Sequence, residues 1–505
     1  MYVTYTDSGD PRKELMNHSR DRATAPLAVI LVLGFSSMCA SLMQSLVIPI
    51  QPELPRLLDT APDNAAWVVT ATLLAGGVAM PVAGRLADIR GRKPVLVASA
   101  LVLLAGSLIC ALSSSLIPVL AGRALQGLAM GYVPVAISFV REITPPTMQN
   151  SAVAGISATL GVGGALGLPF SAWIAQDHDW HALFWVSSAL AAVMVVLSLV
   201  VLPHRRPVDR ARFDPVGAIG LAIGVVGILG GISKGGDWGW TSPATLFAIV
   251  GGAVTLLAWG FYETRHDQPL VDLRTTARRP ILLTNIAALL VGFGMMAQSI
   301  VVPQLLQLPE STGYGLGQTM LQAGLWMAPG GLMMLAFTPI SSRMLTRFGG
   351  RTTLALGAGV IAVGYLVAAF FAHAPWQLLV STCIASAGVG IGYAAMPTLI
   401  LENSPASEAG AGVGLNSLMR SMGTTIAGSV MAIVLTSRLI DIGGEVQAPT
   451  QEMFRLCFFI GAGAAIAGAL VVLLIRSGHR PTHPGPGSTT TPAEDAGTKP
   501  LARAR

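Results

Sequence analysis

The sequence predicts an all-α integral membrane protein with fourteen transmembrane helices, and its composition is the first observation behind this prediction. Hydrophobic residues make up 52% of the 505-residue chain and charged residues only 11%, and the mean hydropathy is +0.64. Soluble domains usually carry about 25% charged residues, so no soluble core would bury this much apolar chain. The 57 glycines suit helices that pack closely in lipid, where small residues let two backbones approach.

Apolar segments of spanning length are the second observation. A spanning helix needs about 20 mainly apolar residues. By that length the predicted spans are 26–50, 64–84, 94–113, 116–140, 149–173, 181–202, 215–233, 244–262, 281–305, 318–341, 352–372, 375–398, 410–437 and 452–475. The corresponding divisions are an N-terminal tail at 1–25, a six-helix half at 26–202, two additional helices with linkers at 203–280, a second six-helix half at 281–475 and a disordered, Pro/Gly/Ser/Thr-rich tail at 476–505.

The placement of basic residues is the third observation. They concentrate in the loops after the second, sixth, eighth and tenth spans: Arg85, Arg90, Arg92, Lys93; Arg205, Arg206, Arg210, Arg212; Arg265, Arg274, Arg278, Arg279; Arg343, Arg347, Arg351. The positive-inside rule places such loops in the cytoplasm. We therefore expect a multi-pass protein of the inner (plasma) membrane with both termini cytoplasmic. The net charge of +6 is interpreted as a determinant of topology rather than as a nucleic-acid surface.

Motifs for catalysis, metal binding or cleavage are missing from the sequence. It contains no P-loop, no HExxH and no Cys/His metal spacing, so we expect no catalytic residue and no metal, and a membrane enzyme or sensor is the disfavoured alternative. No removable signal peptide is predicted, because the first 25 residues are polar. The cysteines lie in apolar runs and are expected to be buried small hydrophobes: Cys39, Cys110, Cys383 and Cys457.

The loop between the second and third spans carries a motif that runs from Gly84 to Pro94 and reads GRLADIRGRKP. Gly84 and Gly91 permit a tight turn and close helix approach. Asp88 can accept hydrogen bonds from a helix N-terminus or from arginines, and Pro94 suits the first turn of the next helix. A weaker copy at 339–351 follows the tenth span. Two such loops indicate two homologous halves, an arrangement typical of secondary transporters.

These motifs resemble those of the major facilitator superfamily. GRLADIRGRKP resembles its loop 2–3 motif, and 123–127, RALQG, resembles its buried-arginine motif. The additional helices entered at 214–217, DPVG, and the segment 416–423, NSLMRSMG, are similar to the fourteen-span drug:proton antiporter branch. The resemblance covers roughly residues 26–475. It implies export of hydrophobic or amphiphilic, drug- or antibiotic-like molecules by alternating access, driven by a proton gradient and without a cofactor. The implied partners are a small-molecule substrate and the lipid bilayer, with no nucleic acid; a monomer is plausible.

The sequence departs from the pattern of that branch in two places. Family members commonly carry an Asp midway along the first span, where this chain has Ala40. In the fifth-span antiporter motif the packing glycines Gly163 and Gly167 remain, but Pro169 is displaced and the final Gly pair is lost. These departures leave a second function open, namely proton-independent uniport or import of a small metabolite.

Two ionisable residues are predicted at membrane depth, Arg123 and Arg420. Each would cost about 2.5–3.5 kcal/mol at a helix centre, so each should face the bundle interior or a cavity. Gln126 and Gly127 share a helix face with Arg123, for which the resemblance implies a part in proton coupling; the alternative is a cation bonded to backbone carbonyls. For Arg420 both alternatives stay open. No carboxylate is predicted mid-membrane, which favours neutral or anionic amphiphilic substrates over cations.

For the inner loop the resemblance implies conformational gating, because in the family the motif acid helps to hold the cytoplasmic ends of the two halves together in the outward-facing state. Arg141 or Glu142, at the inner end of the fourth span, could complete a charge network with Asp88 and Arg92. The predicted gating residues are Gly84, Asp88, Gly91, Arg92, Arg141 and Glu142.

The remaining site residues are predicted from their polarity or their size. Glu53, near the outer end of the first span, is a candidate carrier of the coupling proton, the alternative being an exposed charge. Uncharged polar residues on apolar helices either line a substrate cavity or bond neighbouring helices: Gln44, Asn285, Gln298, Gln304, Gln322 and Asn416. Helix packing is expected at Gly127, Gly163, Gly167 and Pro169.

Overall fold

The structure is a computed structural model that describes residues 11–48, 50–177, 179–205, 211–441 and 447–475. The predicted C-terminal tail, 476–505, lies outside the described residues, as do 1–10 of the N-terminal tail and 206–210 of the linker after the sixth span. Residues up to 475 form one compact unit.

Almost every ordered element is a helix. The helices are α1 (Pro11–Ser45), α2 (Leu54–Leu57), α3 (Pro62–Ala65), α4 (Trp67–Arg90), α5 (Arg92–Leu112), α6 (Leu116–Leu128), α7 (Tyr132–Ile143), α8 (Pro146–Asp177), α9 (His181–Val201), α10 (Pro215–Trp238), α11 (Pro243–Arg265), α12 (Leu273–Thr276), α13 (Arg279–Gln307), α14 (Met320–Ala336), α15 (Thr338–Phe370), α16 (Pro375–Gly392), α17 (Ala395–Asn403), α18 (Ala409–Thr436) and α19 (Gln451–Leu473). Strands β1 (Leu439–Asp441) and β2 (Gln447–Pro449) form a small antiparallel hairpin. The all-α membrane fold predicted from composition is confirmed.

Thirteen stretches of the described chain are long and apolar enough to cross a membrane. One of them, Met320–Phe370, has 51 residues and covers two predicted spans. A continuous helix of that length would measure about 77 Å, more than twice the hydrocarbon thickness of a bilayer. Gly349 interrupts it with φ +78°, a conformation that favours glycine. The arrangement therefore agrees roughly with the predicted count, and fourteen crossings stay a prediction.

Small residues allow the helices to pack closely. A Cβ atom on Gly357 of α15 would lie 2.6 Å from the Cα of Gly392 in α16, so the two backbones touch there. The large apolar side chains of α11, in contrast, point outward; Phe247 is 81% exposed and Leu257 76%. Such a surface suits lipid rather than water. Three of the four cysteines are buried, Cys383 is half-buried, and none is in a disulfide.

The additional helices α10 and α11 pack against each other, and α10 also contacts α4 and α18. The predicted span 215–233 stops one residue before Lys234, and this boundary is wrong: α10 extends to Trp238, and Lys234 is 1% exposed within it. Its Nζ lies 2.7 Å from a carboxylate oxygen of Asp237 and 5.4 Å from the ring centre of Trp67. Gly231 and Gly235 let this end of α10 pack closely, since a Cβ would lie 2.7 Å from the Ile249 side chain at the first and 2.7 Å from the Trp240 ring at the second.

Candidate functional site

Asp88 lies in the last turn of α4, at the end of the bundle that also carries the other arginine-rich loops; we call this the arginine-rich end. The side chain is fully buried. Its Oδ1 accepts a hydrogen bond from the backbone N–H of Gly410 and its Oδ2 one from that of Ala411, both at 3.0 Å. These two residues open α18, where amide groups lack helical partners and the helix dipole favours an anion. Asp88 therefore joins α4 to a helix far away in sequence.

Charged side chains extend this contact. Arg92 Nη2 lies 3.3 Å from Asp88 Oδ1, and its Nη1 lies 2.7 Å from Glu142 Oε2. Arg141 donates a hydrogen bond to the carbonyl of Leu401 in α17. Hence Glu142 completes the charge network, and Arg141 makes a separate contact with the later part of the chain. We call Asp88, Arg92, Arg141 and Glu142, with the backbone groups they bind, the Asp88 cluster.

Glycines allow the helices of this cluster to touch. A Cβ on Gly84 would overlap the carbonyl oxygen of Gly410, and a Cβ on Gly414 would overlap that of Met80. Gly91 has φ +92° in the turn between α4 and α5. The close approach of α4 and α18 therefore depends on missing side chains, and the turn depends on the backbone freedom of glycine.

A second contact at the arginine-rich end joins α8 to α15. The hydroxyl oxygens of Ser151 and Ser342 are 2.6 Å apart, and the Asn150 Nδ2 donates to the Thr346 Oγ1 at 3.4 Å. Together with the Asp88 cluster, this contact links the helices before residue 202 to those after 281 at the same end of the bundle.

Arg123 is enclosed by neighbouring helices and only 2% exposed. Its Nε donates to the carbonyl of Val68 at 3.1 Å, and its Nη1 donates to Gln126 Oε1 at 2.6 Å. Gln126 in turn donates to Ser107 Oγ at 2.9 Å. A Cβ on Gly127 would overlap the carbonyl of Thr72. This geometry is that of a cation held by a backbone carbonyl and an amide, within α4, α5 and α6.

Arg420 is half-buried in α18, and its guanidinium lies 4.6 Å from the ring centre of Tyr393. Cation–π contacts of this kind are attractive but leave the N–H donors at the edge of the guanidinium available. No salt bridge joins Arg420 to a carboxylate in the described part of the chain. Arg420 is therefore a half-buried cation of α18 that has no carboxylate partner among the described residues.

The predicted polar cavity residues have different surroundings. Asn416 donates to Asn285 Oδ1 at 3.0 Å, and both are buried. Gln44 donates to the sulfur of Met130 at 3.0 Å. Gln298 is bonded through its backbone N–H to the hydroxyl of Tyr365. These four residues thus have roles in bonding helices, whatever else they contact.

Three predicted residues lie at helix ends or on exposed surface. Gln322 forms a capping box with Thr319 at the start of α14, which satisfies free amides there, and Gln304 is exposed. Glu53 pairs with Arg56 at 3.0 Å, and both side chains are more than half exposed. The surroundings of Glu53 match the alternative of an exposed charge at the rim.

The fifth-span glycines lie between two helices. A Cβ atom on Gly163 would overlap the carbonyl oxygen of Met38 in α1. A Cβ atom on Gly167 would overlap the hydroxyl of Ser45 in the same helix. Pro169 lies on the α14 side, where a Cβ on Gly324 would be 3.5 Å away from it. The degenerate motif therefore still lets α8 pack closely with both neighbours.

A cavity of about 450 Å³ lies beside the Asp88 cluster. Its polar lining includes Arg85, Asp267, Asp272, Asn285 and Glu408. Of these residues, the sequence predicts only Asn285 as part of a cavity. The acids belong to loops and helix ends, where charged residues are usually solvated, so the sequence carries no signal that they enclose a cavity.

Comparisons with known proteins agree on one family. The profile of the Major Facilitator Superfamily matches residues 33–218, 216–428 and 284–504. The "Lincomycin resistance protein LmrB" of Bacillus subtilis is 25% identical over 470 residues, 90% of this chain and 95% of that protein. The "Multidrug resistance protein B homolog" of Mycobacterium tuberculosis is 26% identical over 446 residues, 86% of this chain and 81% of that protein.

Solved structures share the fold. The human organic anion transporter MFSD10 superposes with a TM-score of 0.63 at 14% identity, over 88% of this chain and 99% of that one. The proton:xylose symporter XylE superposes with a TM-score of 0.60 at 14% identity, over 89% and 95%. At this identity the likeness concerns the architecture alone.

Proposed function

Because the chain belongs to the Major Facilitator Superfamily, we propose that it exports hydrophobic or amphiphilic small molecules by alternating access, coupled to proton influx. The observation that carries the proposal is the Asp88 cluster. It joins helices from the two parts of the chain at one end of the bundle. The backbone amides of Gly410 and Ala411 lie 3.0 Å from the Asp88 carboxylate, which reaches them only when α4 and α18 touch. A contact of this kind can break and re-form as the site opens to either side.

The positive-inside rule supports assigning the arginine-rich end to the cytoplasm. On this assignment the Asp88 cluster closes the cytoplasmic end of the bundle. The drug- and antibiotic-resistance names of the relatives in Bacillus subtilis and Mycobacterium tuberculosis support the direction of transport and the class of substrate.

Arg420 supports a preference for anionic or neutral substrates. It is a half-buried cation with no carboxylate partner in the described chain, and one face of it lies on Tyr393. A cationic substrate would meet repulsion there, whereas a carboxylate or sulfonate would gain charge-assisted hydrogen bonds.

Replacing Arg420 by Gln is therefore expected to lower export of an anionic dye about tenfold and export of a neutral dye less than twofold. The loss of one charged hydrogen-bond partner costs about 1.5–3 kcal/mol, and the lower end of that range corresponds to about tenfold. Efflux from vesicles containing the purified protein measures both dyes. Arg438→Gln removes an exposed arginine and serves as the matched control. Equal losses for both dyes would remove Arg420 from substrate recognition.

Proton coupling has its own test, since Ala40 and the exposed Glu53 favour uniport as the second candidate. In vesicles with an imposed pH gradient, export against a dye gradient is expected to stop when an ionophore collapses the gradient. Downhill movement that ignores the pH gradient, with no uphill movement, would establish uniport.

A further inference from the structure

Two buried carboxylates face each other at the arginine-rich end of the additional helices. Asp214 precedes α10 and Glu263 lies in the last turns of α11; they are 5% and 2% exposed. Gly217 separates them: a Cβ there would overlap Asp214 Oδ2 and lie 2.5 Å from Glu263 Oε1. The missing side chain therefore lets one oxygen of each carboxylate reach the same small space.

The oxygens in this space have no hydrogen-bond partner. Asp214 Oδ1 accepts from the Gly217 N–H at 3.0 Å and the Tyr262 hydroxyl at 3.2 Å. Asp214 Oδ2 and both carboxylate oxygens of Glu263 accept no hydrogen bond of good geometry within the described chain, although the backbone N–H groups of Leu270 and Val271 and the Trp259 indole point toward Glu263. No salt bridge in that part of the protein joins either acid to a lysine or arginine.

Two ionised carboxylates in these surroundings would repel each other and would lack the hydrogen bonds that replace water. One proton held between them removes a charge and supplies the missing donor. We propose that Asp214 and Glu263 form a binding site for a single proton.

A proton fits this space better than a metal ion does. The backbone amides of Leu270 and Val271 and the indole of Trp259 face Glu263, and N–H groups repel a metal cation. Metal ions such as Ca²⁺ also take six to eight oxygen ligands, more than the three free oxygens here. The titratable neighbours are Tyr262 and, stacked on it with ring centres 5.2 Å apart, His266.

The pair lies where it can influence the gate. Leu270 and Val271, whose backbone amides face Glu263, also line the cavity beside the Asp88 cluster, together with Arg85 of α4 and Ala411 of α18. Loss of the proton would loosen the base of α10 by repulsion. This link to gating, unlike proton binding itself, rests on the proposed transport function.

Thermal unfolding of the purified protein between pH 6 and 9 tests the site without any substrate. An unfolded chain releases both carboxyl protons well below pH 6, whereas the native pair keeps one. Stability must then fall as pH rises, because the native state binds more protons than the unfolded state. We expect the Tm of the unaltered protein to fall by several degrees over this range. The Tm of Glu263→Gln should fall clearly less, and at pH 9 it should exceed the Tm of the unaltered protein.

Three comparisons make the result specific. Asp214→Asn should reproduce the flatter profile, and it replaces Glu263→Gln if that variant does not accumulate. Glu452→Gln, which removes an exposed acid, and His266→Gln, which removes the neighbouring imidazole, should both keep the original slope. The same slope in all variants would overturn the proposal. Stabilisation by a metal ion would also overturn it. In that case NaCl would raise the Tm at constant pH, choline chloride would not, and Glu263→Gln would abolish the effect.

A transport assay separates this inference from the proposed function. If the protein exports its substrate, Glu263→Gln should still move substrate down its own gradient. The stimulation of export by a pH gradient should be at least several-fold smaller than in the unaltered protein. Unchanged stimulation would disconnect the site from gating while leaving proton binding established by the unfolding data. Absence of export by the unaltered protein would contradict the proposed function and leave the proton site in place.

Discussion

Asp88→Asn is expected to reduce export about tenfold or more while the amount of protein in the membrane stays unchanged. Asparagine retains one acceptor oxygen, but its amide N–H₂ would face the N–H of Gly410 or Ala411, and the charge that pairs with Arg92 is lost. Charged hydrogen bonds contribute about 1.5–3 kcal/mol each, which shifts the equilibrium between the closed and open forms of the arginine-rich end by roughly ten- to hundredfold. Dye efflux from vesicles, normalised to the inserted protein, measures this.

The matched control for Asp88→Asn is Glu452→Gln, which neutralises an acid that is 75% exposed and pairs only with Arg438. It should export at the unaltered rate. Asp88→Glu keeps the charge but adds a methylene group in a fully buried space, so we expect an intermediate rate. Normal efflux by Asp88→Asn would mean that the contact with α18 does not limit the transport cycle.

The sequence predicted one side of the Asp88 cluster and not the other. Asp88, Arg92 and Glu142 carry side chains whose charges and spacing suggest a network. Their partners Gly410 and Ala411 contribute only backbone amides, at a separation of more than three hundred residues, and no side-chain pattern marks such donors. The span predicted at 410–437 begins at these residues, but which anion its N-terminus meets depends on the packing of the whole bundle.

Hydropathy does not predict which charged residues are buried at helix ends. The span predicted at 244–262 ends one residue before Glu263, because a hydropathy reading stops at charged residues. Neither Glu263 nor Lys234 is solvated, since α10 and α11 continue past their apolar stretches and cover them. The capping role of Gln322 could, in contrast, be predicted from the sequence, because Thr319 three residues earlier gives the capping-box spacing.

Gly84→Ala is expected to hold the protein with its arginine-rich end open, because the added methyl group would overlap the carbonyl oxygen of Gly410. A backbone carbonyl cannot rotate away as a side chain can, so α4 and α18 would have to separate. Overpacking of this kind costs typically about 1–3 kcal/mol, enough to lower the closed population about five- to hundredfold when the two states are close in energy. Export should fall accordingly. Gly359→Ala, in α15 with nothing within 4 Å of the added atom, should export normally.

The second inter-helix contact reports on this state without a substrate. Asn150 and Thr346 are hydrogen-bonded across α8 and α15 at the same end, so cysteines at both positions should cross-link rapidly when that end is closed. The four native cysteines are replaced beforehand. In this background Gly84→Ala should cross-link several-fold more slowly than the parent, and Gly359→Ala at the parent rate. An unchanged rate in Gly84→Ala would show that the helices absorb the methyl group without opening, and that the glycine in the loop motif is not what permits closure.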